Sequence, residues 1–254
     1  MIIDTHSHIY YDKYDLDIND VIKNAQDSGI EKIICVAVDL PSAEKCFKLA
    51  ETFPAVYITA GIHPHEASKT PKNYLKEIES FFSYKKTVGL GEIGLDYHYN
   101  FSEPEIQLPI YIEQLELAKE YNLPAVIHCR EAENDILEGI ISTESNHGVI
   151  HCFSGNYEFA TKIIDTGYKI SFTGLITFTG DSFKNVIEKV DLSNIMVETD
   201  SPYLTPEPNR GKRNEPKNVR YVIDQISKWK KLPFKEIADK TTNTAFNVFP
   251  KLKN

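Results

Sequence analysis

Histidines stand directly after apolar runs at three places in this sequence. His6 and His8 lie in DTHSH near the start, His128 ends AVIH, and His151 ends VIH. Residues i and i+2 of an extended strand point to the same side, so the imidazoles of His6 and His8 are expected to lie on one side of the strand. Imidazole nitrogens are common ligands of zinc and related divalent ions. The pattern therefore suggests a metal site shared by these histidines.

Carboxylates and further histidines occur in the same kind of context. Glu92 lies in GLGEIGLDY, Asp200 in VETDSPYL, and His63 and His65 in GIHPH. Two cations held close together repel each other, and a bridging carboxylate such as Glu92 offsets that repulsion. Asp200 can both contact a metal and accept a proton from water, whose pKa a divalent ion lowers towards about 7. The residue types therefore predict a binuclear hydrolytic centre.

The elements that position these residues follow a repeated pattern. Short apolar, β-branched runs alternate with stretches of helical periodicity such as 108–118, 159–164 and 183–190. Eight strands, each followed by a helix, predict a parallel sheet covered on both faces. In an α/β chain of this length they favour a (β/α)8 TIM barrel, and we expect a single domain over 1–254. The predicted strands are 2–4, 32–38, 56–60, 87–90, 125–127, 149–150, 169–172 and 194–197.

A barrel explains why the expected metal ligands follow strands. Active sites of such barrels form at the carboxyl ends of the strands, which converge around one axis. The expected metal ligands then meet in a single cup although they are far apart in the sequence. They are His6, His8, Glu92, His128, His151 and Asp200.

Composition narrows the class of protein. The chain has 254 residues and a net charge of −9, which argues against broad electrostatic binding of nucleic acid over its surface. No apolar run reaches the ~18 residues of a membrane span, and we expect no membrane association. Four cysteines without a close pair indicate reduced thiols and a cytoplasmic protein. Nothing in the sequence requires an obligate protein partner.

Other catalytic schemes are disfavoured by the sequence. It lacks the nucleophile elbow, the phosphate-binding P-loop and the dinucleotide fingerprint. Cys129 and Cys152 each adjoin a histidine, but neighbours on a strand point to opposite faces, so a cysteine–histidine dyad is not expected. Ser154 is interpreted as a turn residue before Gly155.

Seven motifs in order carry a family resemblance. DTHSH, GIHPH, GEIGLDY, HCR, HCFSG, ETDSPYL and RGKRNEP extend from residue 4 to residue 216. Together they resemble the TatD family of metal-dependent hydrolases, which belongs to the amidohydrolase-type TIM-barrel superfamily. The resemblance implies a deoxyribonuclease, often described as a 3′→5′ exonuclease, that uses two divalent ions of magnesium, manganese or zinc.

The resemblance also implies roles for individual residues. His6, His8 and Asp200 would hold one ion, His128 and His151 the second, and Glu92 would bridge them. His63 and His65 match the GIHPH motif. His63 is assigned either to a substrate phosphate or to the second ion, with a structural role as the alternative. His65, and Arg130 in HCR, are expected to contact the substrate.

The choice of substrate depends on a basic segment, 209–220, in an otherwise acidic chain. It contains five positive side chains, of which Lys212 and Arg213 are expected to contact the phosphates of DNA. The alternative is a solvated loop, or an arginine that anchors the loop to the barrel. The alternative function is an amidohydrolase-like enzyme acting on a small ester, amide or phosphoester, because the same metal centre would serve it.

Overall fold

Eight parallel strands form one sheet in the computed structural model, which describes residues 1–99 and 101–253. Strands that are consecutive in the chain are neighbours in the sheet, as expected for repeated β–α units. The strands are β1 Ile2–Ser7, β2 Ile30–Val36, β3 Val56–Ala60, β4 Thr87–Asp96, β5 Ala125–Arg130, β6 Gly148–Ile150, β7 Lys169–Phe172 and β8 Ile195–Val197.

Helices connect the strands and cover the sheet. Their apolar residues pack against the strands, as the helical periodicity in the sequence predicts. The helices are α1 Ile18–Asp27, α2 Leu40–Thr52, α3 Tyr74–Ser80, α4 Pro104–Glu120, α5 Glu133–Ser142, α6 Tyr157–Asp165, α7 Lys184–Lys189, α8 Val219–Lys230 and α9 Phe234–Val248.

The segment after β8 joins the sheet to β1 and closes the barrel. The Asp200 N–H donates to the His6 carbonyl at 2.9 Å, and the His8 N–H donates to the Ser201 carbonyl at 2.7 Å. Ser7 and Ser201 form an isolated parallel bridge between these hydrogen bonds. The predicted (β/α)8 TIM barrel is therefore confirmed. The same contacts bring two potential ligands from the two ends of the chain together.

Three strands extend further than the sequence indicates. The predicted strand 2–4 continues to Ser7, the predicted strand 87–90 to Asp96, and the predicted strand 125–127 to Arg130. Glycine is unfavourable inside strands, so the glycines of GLGEIGLD made the strand seem to end early. Glu92 and His128 consequently lie within strands, where ladder hydrogen bonds hold their backbone, rather than in the loops that follow.

The interior of the barrel forms a core of its own. Its apolar residues come from seven of the strands and pack against Ala245, Val248 and Phe249 at the end of the chain. Lys251 donates to the carbonyl of Thr87 at the start of β4. The end of α9 and the following turn therefore plug the amino-terminal end of the barrel and leave the opposite end for the site.

No helix within the described ranges has the length and apolar character that crossing a membrane requires. The four cysteines are free thiols, and Cys35 and Cys46 place their sulfurs 3.4 Å apart in the core. The compartment in which the protein works stays a prediction.

Truncating the plug should destabilise the whole barrel. Phe249 is fully buried, and its ring lies close to Gly89 on β4. Phe249→Ala is expected to lower the free energy of unfolding by about 3–5 kcal/mol, measured by urea denaturation, because it leaves a cavity in the barrel core. Ile141→Ala, at a side chain that is 60% exposed, serves as the control and should change it by less than about 0.5 kcal/mol. Equal unfolding midpoints for the two variants would contradict the assignment of Phe249 to the core.

Candidate metal centre

One oxygen of the Glu92 carboxylate faces the pair of histidines from β1. Glu92 Oε2 lies 3.3 Å from His6 Nε2 and 3.6 Å from His8 Nε2. Asp200 approaches from the segment after β8, with its Oδ1 3.3 Å from His8 Nε2 and 3.8 Å from His6 Nε2. The four side chains thus turn two imidazole nitrogens and two carboxylates towards one small volume.

The other oxygen of Glu92 faces histidines from three further strand ends. Glu92 Oε1 lies 2.7 Å from His151 Nε2, 3.2 Å from His128 Nδ1 and 3.4 Å from His63 Nε2. The two carboxylate oxygens therefore point to two different sets of imidazoles. This is the geometry in which a single carboxylate can bridge two cations.

Hydrogen bonds fix which nitrogen two of these rings present to the centre. His8 Nδ1 donates to the carbonyl of Val36 at 2.8 Å, so Nε2 of the neutral ring carries the lone pair. His128 Nε2 donates to Asp96 Oδ2 at 3.0 Å, which leaves Nδ1 as its lone-pair atom. Both lone-pair nitrogens are the atoms that face Glu92. Convergent lone pairs in a buried site suit a cation, and the donor set fits a divalent metal.

Two acidic residues that the sequence analysis passed over hold this arrangement. Asp96 Oδ2 accepts hydrogen bonds from both His128 and His65, the latter at 2.8 Å. Glu198 lies with Oε1 3.4 Å from His151 Nδ1 and accepts a hydrogen bond from Ser171 at 2.6 Å. Both stand in motifs already singled out, GEIGLDY and ETDSPYL. Asp96 lies four residues after Glu92 and Glu198 lies two residues before Asp200, so their place beside an expected ligand is the signal that could have found them.

His63 differs from the other histidines in its hydrogen bonding. Its Nδ1 accepts a hydrogen bond from the backbone N–H of His65 at 3.1 Å. Burial lowers the pKa of His63 to about 4, so the ring is neutral at neutral pH. The proton of the neutral ring is therefore on Nε2, the atom that faces Glu92. His63 stands at the centre as a hydrogen-bond donor.

Glycines allow the strands to carry these side chains so close together. Gly94 has a φ of +132°, and a Cβ built there would lie 2.0 Å from the carbonyl oxygen of His128. A Cβ on Gly91 would lie 2.7 Å from that of Val126. Any larger residue at either position would push β4 away from β5 and separate Glu92 from His128.

The charge of Glu92 is set by its surroundings. Burial raises the pKa of its carboxyl, but the imidazoles of His151, His63 and His6 outweigh this effect and hold the pKa well below its usual range. Glu92 is therefore ionised at neutral pH. A buried carboxylate is costly unless it is paired, and here its partners are imidazoles that can also bind metal.

The centre lies at the bottom of an open cavity of about 640 Å³ at the carboxyl end of the barrel. His65 and Arg130 line this cavity, together with Tyr99, Tyr203 and Leu204. Arg130 is the single lysine or arginine of the lining within residues 1–99 and 101–253. A substrate that reaches the centre therefore meets aromatic rings and one cation.

Comparison with known proteins adds to this geometry. The family model for TatD related DNases matches residues 3–250, nearly the whole chain. The chain belongs to the TatD family of metal-dependent hydrolases. An uncharacterized metal-dependent hydrolase of Bacillus subtilis, YabD, is 37% identical over 255 residues, covering 98% of this chain and 99% of the relative.

Two further TatD relatives are informative. A protein of Shigella flexneri named 3′-5′ ssDNA/RNA exonuclease TatD is 30% identical over 224 residues, covering 84% of this chain and 85% of its own. The crystal structure of YjjV, a TatD homologue from Escherichia coli, superposes with a TM-score of 0.93 at 30% identity, and the match covers 98% of both chains.

Positive side chains of the basic segment pair with carboxylates of this TatD protein. Arg213 donates to both carboxylate oxygens of Asp17, at 2.9 and 2.6 Å, and lies 3.2 Å from Glu215. Its guanidinium also lies 4.4 Å from the ring centroid of Tyr14. These contacts match the alternative of an arginine that anchors the loop to the barrel, and the expected phosphate contact of Arg213 stays a prediction.

The other positive side chains of the segment also lie away from the cavity lining. Arg210 donates to the carbonyl of Thr205 and packs over Phe178, and Lys217 pairs with Glu215. Lys212 is exposed at the surface. For the described residues, the expected phosphate contact of Lys212 and Arg213 thus finds no support in the geometry of the cavity.

Glu92→Gln should reduce the metal content of the protein while preserving the fold. Glutamine keeps the shape of the side chain but loses the charge that offsets two cations, so bound manganese per chain should fall at least by half after dialysis, measured by elemental analysis. Glu66→Gln is the matched control, because Glu66 lines the same cavity but pairs with Lys69 outside the centre. Equal metal content in the two variants would show that Glu92 does not bridge.

Proposed function

We propose that this TatD protein is a 3′→5′ exonuclease that hydrolyses phosphodiester bonds of single-stranded DNA and RNA with two divalent ions. The observation that carries the proposal is the division of the Glu92 oxygens between two sets of imidazoles at the mouth of an open barrel. The name of the Shigella relative supports the reaction and the substrate. All eight strands share one sheet, which supports treating 1–254 as one catalytic domain.

Each ion would have its own ligands and share Glu92. His6, His8 and Asp200 would hold the first ion, and His128 and His151 the second. Divalent ions bound there supply Lewis acidity towards a phosphate and lower the pKa of water. The imidazoles of this set favour zinc over magnesium, which prefers oxygen ligands, and the carboxylates also suit manganese.

Asp200 is the residue best placed to remove a proton from the attacking water. Its side chain is partly exposed towards the cavity, whereas Glu92 is almost fully buried. Burial raises the pKa of Asp200, but hydrogen bonding and charge from His8 lower it below its usual value, so the carboxylate is available as a base. Its backbone is held by the hydrogen bond to His6 that closes the barrel.

His63 is proposed to donate a hydrogen bond from Nε2 rather than to bind the second ion. Nε2 carries the proton in the neutral ring because Nδ1 accepts from the backbone of His65. A phosphate oxygen in the cavity can receive this hydrogen bond when the substrate binds. Of the roles that the sequence left open for His63, this hydrogen bonding therefore supports the substrate contact.

Asp200→Asn should lower kcat for a labelled single-stranded oligonucleotide by about 10²–10⁴-fold, the range for a lost general base. KM should change much less, because asparagine still fills the position and can contact a metal through its oxygen. Steady-state kinetics with saturating manganese separates the two constants. A variant that loses only affinity would show that Asp200 is a substrate contact.

Arginines inside and outside the cavity should differ in their effect on nucleic acid binding. Arg130→Ala is expected to raise KM for an oligonucleotide. It should also make affinity less dependent on salt: the slope of log affinity against log salt concentration should become less steep by about 0.7, the value for one lost phosphate contact. Arg213→Ala is the matched control and should leave both unchanged while lowering the melting temperature, since it breaks the pairing with Asp17.

The same experiment tests the alternative of a small-molecule hydrolase. If the wild type hydrolyses a chromogenic phosphodiester but cleaves neither DNA nor RNA, the nuclease assignment is wrong. If Arg213→Ala raises KM for DNA as strongly as Arg130→Ala, the basic segment contacts substrate after all, as the sequence suggested.

A further inference from the structure

Two large aromatic side chains are exposed on one side of the cavity mouth. Tyr99 is 50% exposed and Phe101 is 66% exposed, and both follow the end of β4. Their rings are nearly parallel, with an interplanar angle of 24° and centroids 5.8 Å apart. The Arg130 guanidinium lies over Tyr99, 4.4 Å from its ring centroid. We call Tyr99, Phe101 and Arg130 the aromatic platform.

The aromatic platform lies beside the half of the centre formed by His128. The ring of His65 is 4.8 Å from that of Phe101 and 5.8 Å from that of Tyr99. His65 and His128 donate to the same oxygen of Asp96. Tyr99 and Arg130 also line the cavity. A group stacked on the platform would therefore be a short distance from a phosphate at the centre.

Folding does not account for these exposed rings. A phenylalanine that is two-thirds exposed gains little from burial and leaves apolar surface in contact with water. Tyr121 is also exposed, but its hydroxyl donates a hydrogen bond to Glu79, so this ring has a contact within the fold. The aromatic platform instead joins a planar apolar surface to a planar cation at the entrance to a hydrolytic site.

Apart from the ions that the metal centre would hold, the charged side chains of this protein attract a polyanion only weakly. The chain carries a net charge of −9, and the described part of the cavity lining supplies one positive side chain beside several acidic ones. Affinity for single-stranded nucleic acid then needs a contribution that does not depend on phosphate charge. Stacking of a base on an aromatic side chain is such a contribution, and it tolerates any sequence because every base has a π-face.

We propose that the aromatic platform stacks a nucleobase of the single-stranded substrate next to the phosphate that is hydrolysed. The inference rests on the proposed nuclease function and adds the subsite that recognises the base. Arg130 can stack on the same base or pair with its phosphate, since guanidinium groups do both. The bases of a duplex are already stacked on one another, so the subsite also favours single strands over double strands.

This subsite is tested by combining two changes, removal of an aromatic ring from the protein and removal of bases from the substrate. The substrates are a single-stranded oligonucleotide and the same oligonucleotide with abasic residues at its last two positions, both with the manganese-loaded protein. Phe101→Ala and Tyr99→Ala should each raise KM for the intact substrate about 5- to 150-fold, the range for one stacked base. On the abasic substrate the variants and the wild type should have KM values within about twofold of one another.

Three controls support the interpretation. Phe101→Trp should keep the wild-type KM, because it retains an aromatic face. Tyr121→Ala should match the wild type on both substrates, because Tyr121, 40% exposed at the end of α4, lies near the amino-terminal ends of the strands. Melting temperatures of the platform variants should stay close to that of the wild type, since these rings are exposed.

The outcomes separate the two proposals. If the wild type cleaves the oligonucleotide but Phe101→Ala and Tyr99→Ala leave KM unchanged, or raise it equally on the abasic substrate, the stacking subsite is wrong and the nuclease remains. If the wild type cleaves neither oligonucleotide yet hydrolyses a small phosphodiester, the nuclease assignment fails, and the stacking subsite fails with it.

Discussion

The buried carboxylate of Glu92 is the group on which the rest of the structure depends. An ionised carboxylate in a barrel interior is costly unless positive or hydrogen-bonding partners surround it. Five imidazoles from four strand ends lie within 3.6 Å of its two oxygens. Those imidazoles come together when the barrel closes, so the fold and the charge of the site stabilise each other. The same arrangement leaves ring nitrogens directed at the two oxygens, which is what a pair of metal ions requires.

Hydrogen bonds around the centre determine which nitrogen of an imidazole can bind a metal and which carries the proton. Each imidazole has two nitrogens, and the partner of one nitrogen decides what the other can do. Val36 and Asp96 accept hydrogen bonds from His8 and His128, so the other ring nitrogen of each histidine directs its lone pair inwards. The backbone of His65 does the reverse for His63 and leaves it a donor. These hydrogen bonds thus distinguish the histidines suited to bind a metal from the one suited to donate a hydrogen bond.

The surroundings of the centre show how an acidic member of the TatD family can accommodate a polyanion. Its positive side chains near β8 are largely committed to the protein, as Arg213 is to Asp17. The cavity instead offers Arg130 and exposed aromatic rings. We propose that metal ions and stacking carry the recognition of single strands, with a minor role for surface charge.

The sequence by itself determined the strands and the candidate ligands. Apolar runs are a local property, and His6, His8, Glu92, His128, His151 and Asp200 were chosen because they accompany such runs. Only the tertiary structure decided the extent of β4, where close packing of Gly94 against His128 permits a strand that glycine would otherwise end. It alone also decided the proton position on His63, the supporting role of Asp96 and the pairing of Arg213 with Asp17, 196 positions away. The physical reason is that hydrogen bonds and ion pairs depend on which groups meet across the barrel, and residue type and spacing along the chain do not specify those meetings.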